Sequence, residues 1–467
     1  VKKTLAAALL APSLLAGCTV AGNASGGGDA VTVTVGYQSK TINTVTAGTL
    51  LRSLGAFEKR LAALPGKYRV VWQDYDTGAP ITAQMLAGKI DIGSMGDYPL
   101  LINGSRAQAA GGDAGTRLVS VTGHNPRGAL NGVVVAPGSK ARTLRDLRGA
   151  TISASVGSAG HGTLVQALGR HGLDPAEDVK VENQQPPVGA SALKSGAAAA
   201  FAQFVAWPGL LVQKGEGRLL YDGGALDVPT FHGVVVRNAF TRERPDVLGA
   251  FLSAQIDATR ALHADPVGSA ERVAAATGLP AETVYLYNGA GGIASFDVTV
   301  KRPLRDALAH DVPFLKSIGV LTAPLDLAAF VDDGPIRRAY GAGYDAAAAS
   351  TANPAPITGN DAVCGRRVTD ARTAGEVWVR GERTPRPVAD PGCLLRTVRA
   401  VQSEGKQVRA AYVPDHTTGT RWFADHQLWV RDGARFLPFA TEETARRHLN
   451  AHPAARLVPY TEAVTRA

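Results

Sequence analysis

The sequence predicts an α/β protein of two lobes with a small α+β domain appended. Three observations carry this. From Val31 the chain alternates strand-like and helix-like segments, the rhythm of a parallel-rich sheet covered by helices. The run Gly132-Val133-Val134-Val135 returns 101 positions later as Gly233-Val234-Val235-Val236, with a complete second α/β unit between the two. Past Tyr340 an Ala/Pro/Ser stretch, "DAAAASTANPAPITGND", leads into a segment of different composition that starts at Cys364.

The elements follow in order. "VTVTVGY" from Val31 reads as a strand, Ala47 to Leu64 as an amphipathic helix, and "YRVVWQDYD" as a second strand. Ile81 to Ala87 reads as a helix and "IDIGS" as a third strand. The two Val runs read as the strands that cross between the lobes, outward and back. Between them, "TLRDLRGATISASVGSAGHGTLVQALGRHGL" gives a short helix, a strand, a Gly-rich turn and a helix; "DVKVENQ" is the next strand. After Val236 the pattern is helical, at Pro245 to His263, Val267 to Thr277 and Arg302 to Ile318. From Cys364, strands around Val377, Val408 and Leu428 surround helices at Cys393 to Glu404 and Thr441 to His452. The expected domains are two lobes over 31–345, the second at about 136–232, a linker over 346–363, and the α+β domain over 364–467.

At 467 residues the chain exceeds one ordinary core, so two or three domains are expected. An apolar content of 45% and a charged content of 19% are globular values. Net charge is +9, and residues from Thr351 onward hold 17 basic against 12 acidic side chains. That balance permits attraction to anionic surfaces. Lys/Arg blocks interleaved with aromatics are absent, which argues against nucleic acid as a partner.

The N-terminal "VKKTLAAALLAPSLLAGC" has a basic start at Lys2 and Lys3, then a 12-residue apolar run from Leu5 to Ala16, then Cys18. A membrane-spanning helix needs roughly 20 residues, so the run reads as an export signal over 1–17. "LAGC" resembles the bacterial lipobox, which implies lipidation of Cys18 and anchoring to the outer face of the cytoplasmic membrane. A plain secretory peptide with an incidental cysteine is the alternative. "TVAGNASGGGDA" then supplies a flexible tether, giving 18–30 that role. Cys364 and Cys393, 29 positions apart, read as a disulfide in an oxidising compartment. A metal or redox role is the alternative, with Cys364 the candidate ligand.

The turn "IGSMGDYP" places small residues and bare backbone at the end of a strand, with Asp97 as N-cap and Pro99 in the first helical turn. "SASVGSAGHGT" has the same form, with Ser158 and His161 in corresponding places. The first strand likewise ends at Tyr37-Gln38 before a loop and helix. In open α/β sheets ligands gather beyond the carboxyl ends of strands, and the uncapped N–H groups of a helix start attract anions. One such turn in each lobe predicts a clamp for a small, negatively charged solute.

On "GYQ" (36–38), "LAGKIDIGSMGDYP" (86–99), "VVVAPGSKARTLRDLRGATISASVGSAGHGTLVQALGRHGLDPAEDV" (133–179) and "RPDVLGAFLSAQIDATRALHADP" (244–266), the chain resembles a known family. These are the substrate-binding lipoproteins of ABC importers for nitrate, aliphatic sulfonates, taurine and bicarbonate. The resemblance covers about two thirds of the chain, residues 31–340, in the family's order. It implies the two-lobed periplasmic-binding-protein fold (type II-like), a cognate ABC permease as partner, and a cleft lined by Gln38, Ser94, Gly96, Asp97, Ser158, His161 and Trp207. One departure stands out: Ala199 occupies a place where the family commonly has Asp. Met95 beside the turn would suit an organic tail better than a bare oxyanion.

Residues 364–467, most closely "FADHQLWVRDGARFLPFATEETARRHL", resemble NosL, the copper-accessory lipoproteins associated with nitrous oxide reductase assembly. That resemblance implies Cu(I) capture by soft Met and Cys ligands. Arg366 stands where the family tends to have Met, and this segment contains no Met at all.

No G-x-S-x-G elbow, P-loop or H-E-x-x-H occurs, and no cofactor is implied. The expected function is a non-enzymatic, lipid-anchored receptor that closes on a small anion or organic acid. An enzyme on the same scaffold, requiring a catalytic His161, and a copper-handling lipoprotein are the alternatives.

Overall fold

Two sheets of matching topology form the two lobes. The structure is a computed structural model and describes residues 30–467; the expected signal, Cys18 and all but the last residue of the tether lie outside the described residues. The first sheet uses β1 (Val31–Tyr37), β2 (Tyr68–Asp74), β3 (Ile92–Gly96) and β4 (Thr116–Asn125). The second uses β5 (Asn131–Val135), β6 (Thr151–Ala154), β7 (Lys180–Asn183), β8 (Ala200–Phe204) and β9 (Arg218–Asp222). The chain then returns to the first sheet through β10 (Thr230–Arg237) and β11 (Ser295–Phe296).

Strand order in the first sheet is β11-β4-β10-β3-β1-β2, and in the second β7-β6-β8-β5-β9. β1 is parallel to β2 and β3, as β6 is to β7 and β8. Into each parallel set one antiparallel strand is inserted: β10 between β3 and β4, and β5 between β8 and β9. Those inserted strands are the two Val runs. All six valines are fully buried, because both faces of the strand lie under helices. The runs are therefore one device used twice, but they do not themselves cross between lobes. Each is the first strand of the lobe just entered, and the crossings are residues 126–130 and 223–229. This moves the second lobe's strands to Asn131–Asp222, against the expected 136–232.

The helix expected over Ala47 to Leu64 is split into α1 (Thr49–Ser53) and α2 (Ala56–Leu61). Gly55 between them sits at φ +58°, where a side chain would be strained. α3 (Gly78–Leu86) and α4 (Asp97–Ala110) complete the first lobe's cleft face; α5 (Ala159–Arg170) and α6 (Pro186–Ser195) form the second's. The two crossings are tied by Arg127 Nε to Asp227 Oδ1 at 3.0 Å.

The C-terminal module is α+β. A four-stranded sheet (Arg386–Val388, Gly375–Val379, Val408–Pro414, Arg421–Phe423) and a three-stranded one (Arg435–Phe439, Leu428–Asp432, Arg456–Val458) pack with helices Pro391–Ser403 and Glu442–Ala451. Cys364 and Cys393 are joined by a disulfide. The module is docked on the lobes: Trp378, Tyr412, Trp422 and Phe423 share one apolar cluster with Phe201, Trp207 and Tyr285. At that seam Arg421 pairs with Glu376 at 2.8 Å, and both are buried. Thr418 donates to Asp222 Oδ2 of the second lobe at 2.7 Å. Among the described residues no helix is long and apolar enough to cross a membrane.

Candidate functional site

A cavity of about 400 Å³ lies between the lobes, where the carboxyl ends of the parallel strands converge. The starts of four helices surround it, two from each lobe. Thr77, Gly78 and Ala79 bring α3; Gly96 and Pro99 bring α4; Gly157, Ser158 and Ala159 bring α5; Gln185 brings α6.

These helix starts differ in what they offer. α3 has no side-chain cap, so the N–H groups of Gly78 and Ala79 have no acceptor from the helix itself. The Thr77 hydroxyl beside them is buried and without a partner. Gly78 is required here: a Cβ would meet Pro99 Cβ at 2.7 Å, so only bare backbone lets α3 approach α4. In α5 the Ser158 hydroxyl accepts from His161 N at 3.3 Å, leaving the N–H groups of Ala159 and Gly160 uncapped. α6 opens on Pro186 and Pro187, which have no N–H, so its contribution is its dipole and the Gln185 side chain. Free amides thus face the cavity chiefly from α3 of one lobe and α5 of the other.

Side chains complete the lining. Gln38 donates through Nε2 to Ser94 O at 3.1 Å, which fixes its amide at the cavity wall. His232 forms part of the floor. Its Nδ1 faces the Asn43 amide nitrogen, which also faces Gly123 O. An amide nitrogen only donates, so Nδ1 accepts and the ring proton sits on Nε2. Burial pushes the His232 pKa down to about 3, so this ring is a neutral donor at any ordinary pH. Arg106, on α4, is exposed and supplies a guanidinium at the rim. Apolar surface comes from Ile102, Val156, Phe204 and Val320. The site holds fixed donors and one positive charge but no nucleophile–base pair, which suits binding an anion with an apolar tail.

Of the residues expected to line the cleft, Gln38, Gly96 and Ser158 do so. Ser94 is not part of the lining: its carbonyl accepts from Gln38, and its hydroxyl is buried without a partner. Asp97 is not the N-cap, which is Gly96, but the first helical residue. Its carboxylate is held by Thr230 Oγ1 at 2.7 Å, Phe231 N at 3.2 Å and Tyr98 N at 2.8 Å, so it fastens the start of β10 to α4 rather than meeting a solute. His161 turns inward: its Nδ1 accepts from Gly157 N at 3.4 Å, and burial lowers its pKa. Trp207 is a core residue packed edge-on against Phe201, and Phe204, where β8 ends, lines the cavity instead. Met95 is fully buried in the first lobe's core, so the apolar wall is not its work. Ala199 is exposed and away from the lining, so its departure from the family pattern does not alter the cavity.

Sequence reading missed Thr77, Gly78, Arg106, Gln185 and His232. For two of the helix starts the signal was present: "DTGAP" after β2 and "NQQPP" after β7 have the same strand-to-helix form as the two turns that were recognised.

The NMT1-like family matches residues 31–277, more than half of the chain. A putative aliphatic sulfonates-binding protein of Escherichia coli (strain K12) is 30% identical over 193 residues, covering 41% of this chain and 55% of that protein, so the match spans about half of the relative's length. The taurine-binding periplasmic protein of the same organism is 28% identical over 240 residues, 51% of this chain and 68% of that protein. Among solved structures, the alkanesulfonate-binding protein SsuA from Xanthomonas axonopodis pv. citri, bound to MOPS, superposes with a TM-score of 0.55 at 23% identity. It covers 65% of this chain and 98% of its own. That likeness gives the two lobes as the periplasmic-binding-protein fold, with the C-terminal module as an addition to it.

Proposed function

The chain belongs to the NMT1-like family, and from that premise we propose that it is the extracytoplasmic receptor of an ABC importer, anchored through Cys18, that captures an organosulfonate in the cleft between its lobes. The observation that carries this reading is the pair of uncapped helix starts, α3 and α5, facing one cavity from opposite lobes. A sulfonate presents three oxygens on one centre, which suits converging amides, the His232 Nε2–H and the Gln38 amide. Arg106 adds a compensating charge. The apolar wall at Ile102, Val156 and Val320 and the 400 Å³ of space favour an organic tail over nitrate or bicarbonate. Sulfonate and taurine names among the relatives support the same class.

Ligand-free full chain heated with taurine, alkanesulfonates of increasing length, nitrate and bicarbonate tests the reading. An alkanesulfonate is expected to raise the melting temperature most, saturably and without being consumed. Stabilisation by nitrate alone, or by none of the panel, would contradict it, and ligand turnover would favour an enzyme.

Copper capture through the C-terminal module, the second expectation, does not fit the residues present. Both cysteines are spent on the disulfide, and residues 364–467 contain no methionine.

A further inference from the structure

The C-terminal module carries a different set of donor atoms. Strand Leu428–Asp432 and helix Glu442–Ala451 lie side by side, with Asp432 ending the strand. His448 and His452 stand four residues apart at the end of the helix, so they project from one face of it. Their rings are stacked, with centroids 4.1 Å apart and planes within 8°. Both place a nitrogen near the same carboxylate oxygen: His448 Nε2 is hydrogen-bonded to Asp432 Oδ2 at 3.2 Å, and His452 Nδ1 lies 3.4 Å from it. One donor atom from each of the three residues falls within 4.8 Å of the others.

Those separations have a chemical meaning. Zinc in a tetrahedral site binds nitrogen and oxygen at about 2.0–2.1 Å, so neighbouring donors stand about 3.3–3.4 Å apart. Two edges of the triangle, at 3.2 and 3.4 Å, are close to that length. We propose that Asp432, His448 and His452 form a binding site for a single divalent cation of the zinc type. Three protein ligands leave a fourth coordination position for water or for a donor from another molecule. Two imidazoles and a carboxylate select a borderline divalent ion, whereas Cu(I) prefers thiolate and thioether. The site is thus of a different kind from the one that a NosL-like resemblance implies, and it does not depend on the cysteines or on the cleft.

The surroundings allow it. His448 is mostly buried, its side chain 11% exposed, and the Asp432 side chain is 18% exposed, so two ligands are held by packing, while His452, at 47%, leaves a path for the ion. The His448 ring is backed by Phe439 at 5.3 Å and by His416 at 5.7 Å, which limits its rotation. Arg435 Nη2 also lies 3.5 Å from Asp432 Oδ2, but its side chain is 69% exposed and free to swing aside when a cation arrives.

The test uses the untagged full chain, stripped with a chelator, with its disulfide intact, and titrated with zinc ion by calorimetry. One equivalent is expected to bind. His448→Ala and His452→Ala should each weaken binding by more than about tenfold, since even the loss of an outer-shell partner of a ligand costs about that much. His426→Ala, an imidazole outside the cluster, should leave it unchanged. Melting of the metal-free variants reports whether they are folded, and His452→Ala, at the exposed helix end, keeps the test informative if His448→Ala is not. Absence of stoichiometric zinc binding, or zinc binding unaltered in a folded His452→Ala chain, would overturn the proposal.

Discussion

Asp311 and Asp97 illustrate how burial at the lobe junction acts on single residues. Both carboxyls are buried beside Tyr98, and neither oxygen of Asp311 has a hydrogen-bond partner. Burial raises both pKa values, Asp311 the further, with the neighbouring Asp97 adding to it. A carboxyl raised in the folded state binds its proton more tightly there than in the unfolded chain. Stability therefore falls as pH climbs from the ordinary carboxylate range through the raised value. Asp311→Asn removes that penalty. It should melt above the parent at pH 8, by an amount that shrinks towards pH 5, in paired thermal scans. The difference should change by up to about 1.4 kcal/mol per pH unit across that range. An unchanged difference across that range would mean Asp311 is not raised. None of this was legible in the sequence. Asp97 looked like a cap because it follows a strand and precedes Pro99; its real partners, Thr230 and Phe231, lie more than 130 positions away.

At the scale of elements, the cleft is made by where helices begin. Two starts were readable from Gly and Ser between a β-branched run and a helical pattern. The start of α3 was missed although "DTGAP" carries the same signal, because the helix was expected to open at Ile81 and in fact opens three residues earlier, at Gly78. Periodicity locates the middle of a helix well and its ends poorly. Gly162, in α5, shows how closely the lobes approach. A Cβ there would lie 1.8 Å from Tyr98 Cε2, and Tyr98 also accepts from Gln166 of α5 at 2.8 Å. Gly162→Ala must push α4 and α5 apart, at about 1–3 kcal/mol. Sulfonate binding measured by calorimetry should weaken about tenfold or more, while the circular dichroism of the folded chain stays as in the parent. Unchanged affinity would mean that the α4–α5 contact has no part in closing the cleft.

At the scale of the molecule, the unexpected feature is the docking of the C-terminal module. Its composition and the Ala/Pro/Ser stretch before it read as an independent unit on a linker. The structure instead seats it against both lobes. Aromatic residues that look like a small domain's own core, Trp378 and Tyr412, pack on Tyr285 at 5.2 and 5.5 Å. Sequence cannot tell an inward aromatic from one that serves an interface, since both read as buried strand positions. The lobes were legible because their strands are uniform and their helices periodic; the docking was not, because it rests on contacts between distant segments. Arg421 tests it. Replacing it by Met leaves the buried Glu376 carboxylate without its cation, at about 3–5 kcal/mol. Arg421→Met should lower the denaturation midpoint of the full chain. The Glu376→Gln/Arg421→Met double variant should recover part of the loss. No loss in the single variant would mean that the seam does not contribute to stability.

The most direct measurement is a crystal structure of the full chain with its best-stabilising alkanesulfonate. The sulfonate oxygens should lie within hydrogen-bond distance of the amides of Gly78 or Ala79 and of Ala159, with the tail against Ile102 and Val320. A ligand bound elsewhere, or one held by a single lobe with those amides unoccupied, would contradict an anion clamp made by two helix starts.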